Sequence, residues 1–222
     1  MANIHQKIRV EKLIRVAVHV GSLFPLAMVL WLMVTGNLGF NPVETVLHRT
    51  GHAAVALLVL SLAVTPLRRI FRLQFLGRLR KPLGLYAALY AGLHFAAFAV
   101  WDYRLNLNLI WMEIVEKPFL IVGLVSLIIL VLLAGTSFRF WQRKLGKKWR
   151  WLQKTVYLAA GLAVIHYLLA VKGDLLTLQG AYTAPLIAGG LLILLLLLRI
   201  PFFYKPIQRF LNHQSAKPGE KE

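Results

Sequence analysis

Two stretches of this chain place an imidazole where lipid-compatible residues surround it. His166 stands in AVIHYLLAV (163–171) and His94 in YAGLHFAAF (90–98). An ionisable side chain inside an apolar span is costly, and is by default a functional residue with a partner to be found. His94 lies 12 residues past Pro82 and His166 lies 16 past Arg150, which puts them about 18 Å and about 24 Å along their helices at a rise of about 1.5 Å per residue. At compatible depths on neighbouring helices, two imidazoles can ligate one iron from opposite faces. Ala91, Gly92, Ala96 and Ala97 flank His94, and Ala159, Ala160, Gly161 and Ala163 precede His166. Small residues admit a flat macrocycle, and they equally serve ordinary helix packing. Two readings therefore stand at this point, haem ligation and a pair of hydrogen-bonded or proton-carrying histidines. Zinc is the poorer fit, because no third or fourth ligand of the usual kind is fixed nearby.

Three other histidines matter less. His48 and His52, in LHRTGHAAV, are four apart and can share a helix face, a spacing that suits metal ligation or two interfacial side chains reaching haem propionates, lipid or solvent. The interfacial reading is preferred, with His48 the nearer candidate for a cofactor. His19, in AVHVGSLFP, is either a satisfied polar residue or a ligand for a second cofactor. His5 and His213 sit in polar ends and carry no signal.

The elements that must hold these residues are membrane helices. The 222 residues are 59% hydrophobic, with mean hydropathy +0.67, and several runs are long enough to cross a hydrocarbon core of about 30 Å. The apolar spans fall near 15–35, 48–67, 82–101, 118–136, 150–171 and 182–203. The expected fold is an all-α, polytopic six-helix bundle, one domain over 1–211 followed by a disordered tail at 212–222. No internal repeat or second domain is read from the sequence. The first span is too long for a signal-peptide core and lacks a convincing cleavage site, so it is retained. Pro82 and Pro118 open two spans.

Of the 26 basic residues, 22 fall on one side of that topology, in the N-terminal arm, the second-to-third loop, the fourth-to-fifth loop and the C-terminal segment. The positive-inside rule then places both termini in the cytoplasm. The net charge of +18 is thus topology and anionic-lipid contact rather than a nucleic-acid footprint. RRIFRLQFLGRLRK (68–81) reads as an interfacial segment, whose arginines could alternatively hold a flavin phosphate. LNLNLIWMEIVEKP (105–118) is expected to lie along the opposite face. The absence of cysteine from the sequence excludes disulfides, cysteine-ligated clusters, thioether haem and thiol catalysis. No Walker motif, GxSxG or nicotinamide-binding domain is present, so a redox protein of this kind would need an external donor.

LHRTGH, TPLRR, RKPLGLYA, KPFLIVG, RKLGKKWRWLQKTVYL and IHYLLAVK, in that order from about residue 13 to 204, resemble the haem-binding membrane subunits of methionine-sulfoxide reductase systems, within the ferric-reductase-like transmembrane family. The resemblance implies an inner-membrane haem b protein that also binds FMN. It would be the electron-transfer subunit of an oxidoreductase, fed by the quinone pool or a cytosolic flavin reductase. Its electrons would go to a periplasmic molybdopterin subunit that repairs oxidised proteins. His94 and His166 match the family's histidines and are the implied axial ligands. His48 and His19 match histidines in those contexts, as propionate contacts or second-haem ligands, and Arg78 and Arg80 are candidate partners of the FMN phosphate. Thirteen residues before His166, where the family often has histidine, this chain has Gln153. Glutamine is a poor haem ligand, which favours one haem on His94 and His166 over two. The competing classes are a small proton-coupled transporter using its intramembrane histidines and a membrane anchor with no redox centre.

Overall fold

The computed structural model describes residues 2–171 and 181–215, and every described regular element is helical. The helices are α1 (Ala2–Val34), α2 (Pro42–Ile70), α3 (Arg80–Ala97), α4 (Leu107–Glu116), α5 (Pro118–Gly135), α6 (Arg139–Leu145), α7 (Lys147–Lys154), α8 (Val156–Ala170), α9 (Thr183–Leu197) and α10 (Pro201–Ser215). A 3-10 turn, Gln74–Leu79, leads into α3, and a π turn, Phe98–Asp102, follows it. Five segments are long and apolar enough to cross a membrane: Arg9–Val34, Pro42–Ile70, Gln74–Asp102, Pro118–Gly135 and Lys147–Ala170. These coincide with the first five expected spans, and the chain is a multi-pass membrane protein.

The sixth expected span is broken. Helices α9 and α10 meet at 82°, because Pro201 has no N–H to continue the α9 ladder and instead opens a new helix. Helix α10 runs on to Ser215; the remainder of the expected tail, 216–222, lies outside the described residues, as do Lys172 and Asp174.

Lipid is as apolar as leucine, so close backbone approach and interhelical hydrogen bonds must hold such a bundle together. Helices α2 and α3 form a hairpin at whose centre Ala53, Ala54, Ala87 and Ala88 are buried. It is pinned at one end by Ser61 Oγ donating to Arg80 O at 3.0 Å and at the other by His94 against Leu47 O. Helices α5 and α8 form a second hairpin, in which Ser126 Oγ donates to Ala159 O at 2.9 Å. The end where α2 begins and α3 finishes is hereafter the histidine end. The opposite one, where Lys81 Nζ reaches Ser137 O and Arg69 reaches Arg199 O, is the basic end.

Helix α1 is mostly exposed on the outside of the hairpins, and one buried side chain ties it in. The Tyr90 hydroxyl donates to Ser22 O at 2.7 Å and accepts from Leu26 N at 2.9 Å. Ser22 and Leu26 are four apart, so the phenol bridges a rung of the helical ladder beside Pro25. A side chain inserted into the ladder next to proline is a recognised cause of a kink.

Candidate functional site

Both span histidines point into one cavity of about 480 Å³ at the histidine end, lined mainly by apolar side chains and also by His48 and His52. That volume falls within the roughly 300–1,000 Å³ typical of cofactor sites. Helices α3 and α8 make little direct contact, and they face each other across this space through His94 and His166. The two ring centres are 6.2 Å apart with their planes crossed at 82°.

Each ring is set in the same way. His94 Nδ1 lies 2.9 Å from Leu47 O and His166 Nδ1 lies 2.8 Å from Phe119 O. A carbonyl can only accept, so each Nδ1 carries the proton and each Nε2 keeps its lone pair. This is how proteins orient an imidazole that binds metal through the other nitrogen. One helical turn beyond each carbonyl is a glycine lying against the ring. A Cβ on Gly51 would come within 3.2 Å of His94 Nδ1, and one on Gly123 within 2.6 Å of His166 Nδ1.

The two constellations repeat. His166, Phe119 and Gly123 each follow His94, Leu47 and Gly51 by 72 residues, and the fully buried Ala159 follows Ala87 by the same interval. AALYAGLH (87–94) and AAGLAVIH (159–166) share two alanines, a third three residues on, and the histidine. The expectation of no internal repeat is therefore corrected: two hairpins, α2–α3 and α5–α8, place equivalent histidines on opposite walls of one cavity.

This arrangement fits a haem iron. Two imidazoles ligating one ion through Nε2 at about 2.0–2.1 Å hold their ring centres roughly 6 Å apart, close to the separation observed. Among the described residues no group of three or more histidine or acidic side chains is placed to hold a metal ion.

The remaining candidates divide. His48 and His52 both line the cavity, their rings 6.0 Å apart. His52 is the more closely tied of the two, since its Nε2 is hydrogen-bonded to Tyr167 Oη at 2.6 Å. His19 lies outside the cavity, on the exposed side of α1, with Nδ1 2.9 Å from Tyr86 Oη. At the basic end Arg78 is exposed and paired with Glu11 at 3.2 Å, while Arg80 stands within electrostatic reach of Arg199. The side chains of His5 and His213 lie outside the description.

Gln153 has a structural role that the sequence did not disclose. Its Nε2 donates to Leu133 O at 3.3 Å and Thr136 Oγ1 at 3.4 Å. Its counterpart 72 residues earlier is Lys81, whose Nζ donates to Ser137 O at 2.7 Å. Both positions thus close on the last turn of α5, and neither offers an imidazole. The glycines and carbonyls behind the two ligand candidates were also missed. Only the repeated A-A-x-x-A-x-x-H spacing could have signalled them.

The fold and cavity define a multi-pass helical membrane protein with a half-buried pair of histidines suited to a redox group. Residues 50–164, just over half of the chain, match the family described as ferric reductase like transmembrane component. The chain belongs to that family, and is accordingly a membrane electron-transfer component. The matched stretch contains Gly51, His94 and Gly123 and stops two residues short of His166.

Proposed function

We propose that the chain is the haem b subunit of a methionine-sulfoxide reductase system of the MsrPQ kind, the part played there by MsrQ (formerly YedZ). In this reading it sits in the bacterial inner membrane with both termini cytoplasmic and hands electrons to MsrP, a periplasmic molybdopterin protein. The observation that carries the redox reading is the His94–His166 pair, two rings 6.2 Å apart with both Nδ1 atoms committed to carbonyls. The order of the sequence motifs carries the assignment to this system.

The haem would supply one-electron transfer, the iron cycling between ferric and ferrous. The chain's own residues do the rest. Leu47 O and Phe119 O fix each imidazole's tautomer and orientation. Gly51 and Gly123 give the rings room, and the apolar lining keeps water away from the site. His94 and His166 together would hold the haem iron, a ligand set that suits electron transfer over oxygen activation. Tyr167 and His52 sit at the edge of the same cavity and hold its mouth in shape through their hydrogen bond. Lys81 and Gln153, satisfied by α5, favour one haem over two. The same resemblance implies FMN, for which Arg78 and Arg80 are the proposed phosphate partners. Neither lines the histidine cavity. The donor is the quinone pool or a cytosolic flavin reductase.

The test is a reduced-minus-oxidised absorption spectrum of the detergent-purified protein, with haem quantified per chain, for the parent and for His94→Ala and His166→Ala. A b-type spectrum near one haem per chain that is lost or strongly shifted in both variants is expected. A normal spectrum in both variants overturns the ligand assignment. A colourless, folded parent made with ample haem overturns the redox reading.

A further inference from the structure

Among the described residues, the basic end holds a cation without a counter-charge. Arg199 lies at the break between α9 and α10, its guanidinium packed 4.7 Å over the Tyr157 ring centre. It donates to Tyr157 Oη and, at 2.7 Å, to Leu62 O. An arginine has five N–H donors, so these two bonds leave most of them unspent, and Nε is buried with no partner at all. Two more guanidiniums stand close by. Arg69 donates to Arg199 O at 3.2 Å, and Arg80 is held at the same level of α2, since Ser61 Oγ donates to Arg80 O at 3.0 Å beside the Leu62 O that accepts from Arg199. Among the described residues the ion pairs are Arg78–Glu11 and Lys117–Glu113, and neither involves these three. A charge held away from water needs a partner, and arginine's fork matches phosphate geometry.

A second feature adjoins the same break. Pro201, Phe202, Phe203, Lys205 and Pro206 line an open, mostly apolar hollow at the start of α10. That helix is drawn back against α2 by Gln208 Nε2 donating to Arg69 O at 3.0 Å and by Arg69 over the Tyr204 ring.

We infer that the α9–α10 break is a binding site for one phosphate group, with Arg199, Arg69 and Arg80 as its cationic wall. The ligand chemistry is a phosphate ester or free phosphate; an anionic phospholipid would add an acyl chain in the hollow. The inference is independent of the haem reading, because none of its residues touches the histidine cavity. It shares Arg80 with the proposed flavin contact, and the two are told apart because this site requires Arg199 and takes lipid or inorganic phosphate in flavin-free protein.

The test uses the full-length protein in detergent. Native mass spectrometry compares retention of dioleoylphosphatidylglycerol with that of dioleoylphosphatidylcholine, and inorganic phosphate is titrated in parallel while thermal unfolding is followed. The variants are Arg199→Gln, Arg80→Gln and, as an exposed control at the same end, Arg143→Gln. Among the described residues Arg80→Gln breaks no hydrogen bond of its side chain, so it remains informative if Arg199→Gln fails to fold. Preferential retention of one phosphatidylglycerol, weakened at least tenfold by Arg199→Gln or Arg80→Gln and unchanged in Arg143→Gln, supports the site and identifies a lipid as its source. Stabilisation by inorganic phosphate with the same arginine dependence, and no preference between lipids, supports the site with free phosphate as its source. Equal retention of both lipids with no phosphate effect overturns it, as does an equal loss in Arg143→Gln.

Discussion

A methyl group added at Gly123 tests how tightly the second hairpin holds its histidine. The new Cβ would lie 2.6 Å from His166 Nδ1 and 2.8 Å from Cε1, whereas ordinary contact begins near 3.4 Å. The ring must therefore retreat by about 0.8 Å, enough to break the 2.8 Å bond to Phe119 O. Overpacking of this kind costs about 1–3 kcal/mol, and the lost hydrogen bond about 1 kcal/mol more. Alanine returns up to about 1 kcal/mol through its better helix propensity. The steric loss wins, and Gly123→Ala should be less stable by about 1–3 kcal/mol. For a chain of this length, that is a fall in Tm of roughly 2–12 °C. At Gly51 the Cβ would meet His94 Nδ1 at 3.2 Å; the ring need give only slightly, and propensity cancels most of the cost. At Gly161 nothing lies within 4 Å, so alanine there should be neutral or mildly stabilising. The order of Tm is thus Gly161→Ala at the top, Gly51→Ala near the parent, and Gly123→Ala lowest. The bound-haem spectrum of the proposed site should be perturbed in the same order. A Gly123→Ala protein as stable as the parent, or a Gly161→Ala protein as damaged as Gly123→Ala, refutes the reasoning.

Three further outcomes are expected. Tyr90→Phe removes the phenol that bridges Ser22 O and Leu26 N and should destabilise by about 1–3 kcal/mol through buried groups left unpaired. Tyr86→Phe, which loses only the exposed bond to His19, should stay within about 0.5 kcal/mol; thermal unfolding of the two variants side by side checks this. Gln153→His alone should leave haem at one per chain, because Lys81 occupies the equivalent position of the other hairpin; a second haem in that variant counts against the pairing drawn from the repeat. On α4, hydrogen bonding to Lys117 holds the Glu113 carboxyl below its usual range, and the same contact raises the Lys117 ammonium. The Glu113 contribution is then present above ordinary carboxylate pKa and lost as pH falls through the lowered value. The Lys117 contribution is present below ordinary lysine pKa and lost as pH rises through the raised one. A Glu113→Gln, Lys117→Met double-mutant cycle should show a coupling of about 0.3–0.5 kcal/mol, flat across neutral pH and fading at both extremes. Beside them, burial and the Glu113 carboxylate push the Tyr103 phenol up to about 12, so a pH titration of tyrosine absorbance should show one residue ionising last.

The long helices were legible because membrane spans announce themselves by length and apolarity, without reference to any partner segment. Pro82 and Pro118 read as opening two spans; Pro118 does open α5, whereas α3 already begins at Arg80. The start of α2 at Pro42, where Asn41 caps the helix by accepting from Glu44 N at 3.2 Å, went unread. His94 and His166 were legible for the same local reason, since a polar residue stands out against lipid-compatible neighbours. What escaped notice was relational. Gly51 and Gly123 read as ordinary packing glycines until the rings of other helices are seen lying against them. Leu47 and Phe119 contribute only backbone oxygens, which no side-chain pattern can reveal. The bend at Pro201 was missed because hydropathy continues across it.

The 72-residue interval explains why one end of the bundle can hold a redox group while the other reads differently. At the histidine end both hairpins keep the full set of imidazole, carbonyl and glycine, so the two walls of the cavity present equivalent nitrogens to a planar group between them. At the basic end the equivalent positions are Lys81 and Gln153, and each donates to the C-terminal end of α5 or the turn just after it. A lysine ammonium offers no lone pair to a metal, and an amide oxygen is a weak ligand for haem iron. The symmetry that builds the first site therefore fails to build a second. Instead the basic end gathers guanidiniums, of which Arg199 lacks an acidic partner among the described residues. In the proposed reading, the described residues place no second facing pair of histidines at the basic end, so reduction from that end would rest on the donor, a bound flavin or a quinol. Because Arg80 and Arg78 lie at that end, their substitution should alter the rate of reduction without altering the spectrum of the haem itself.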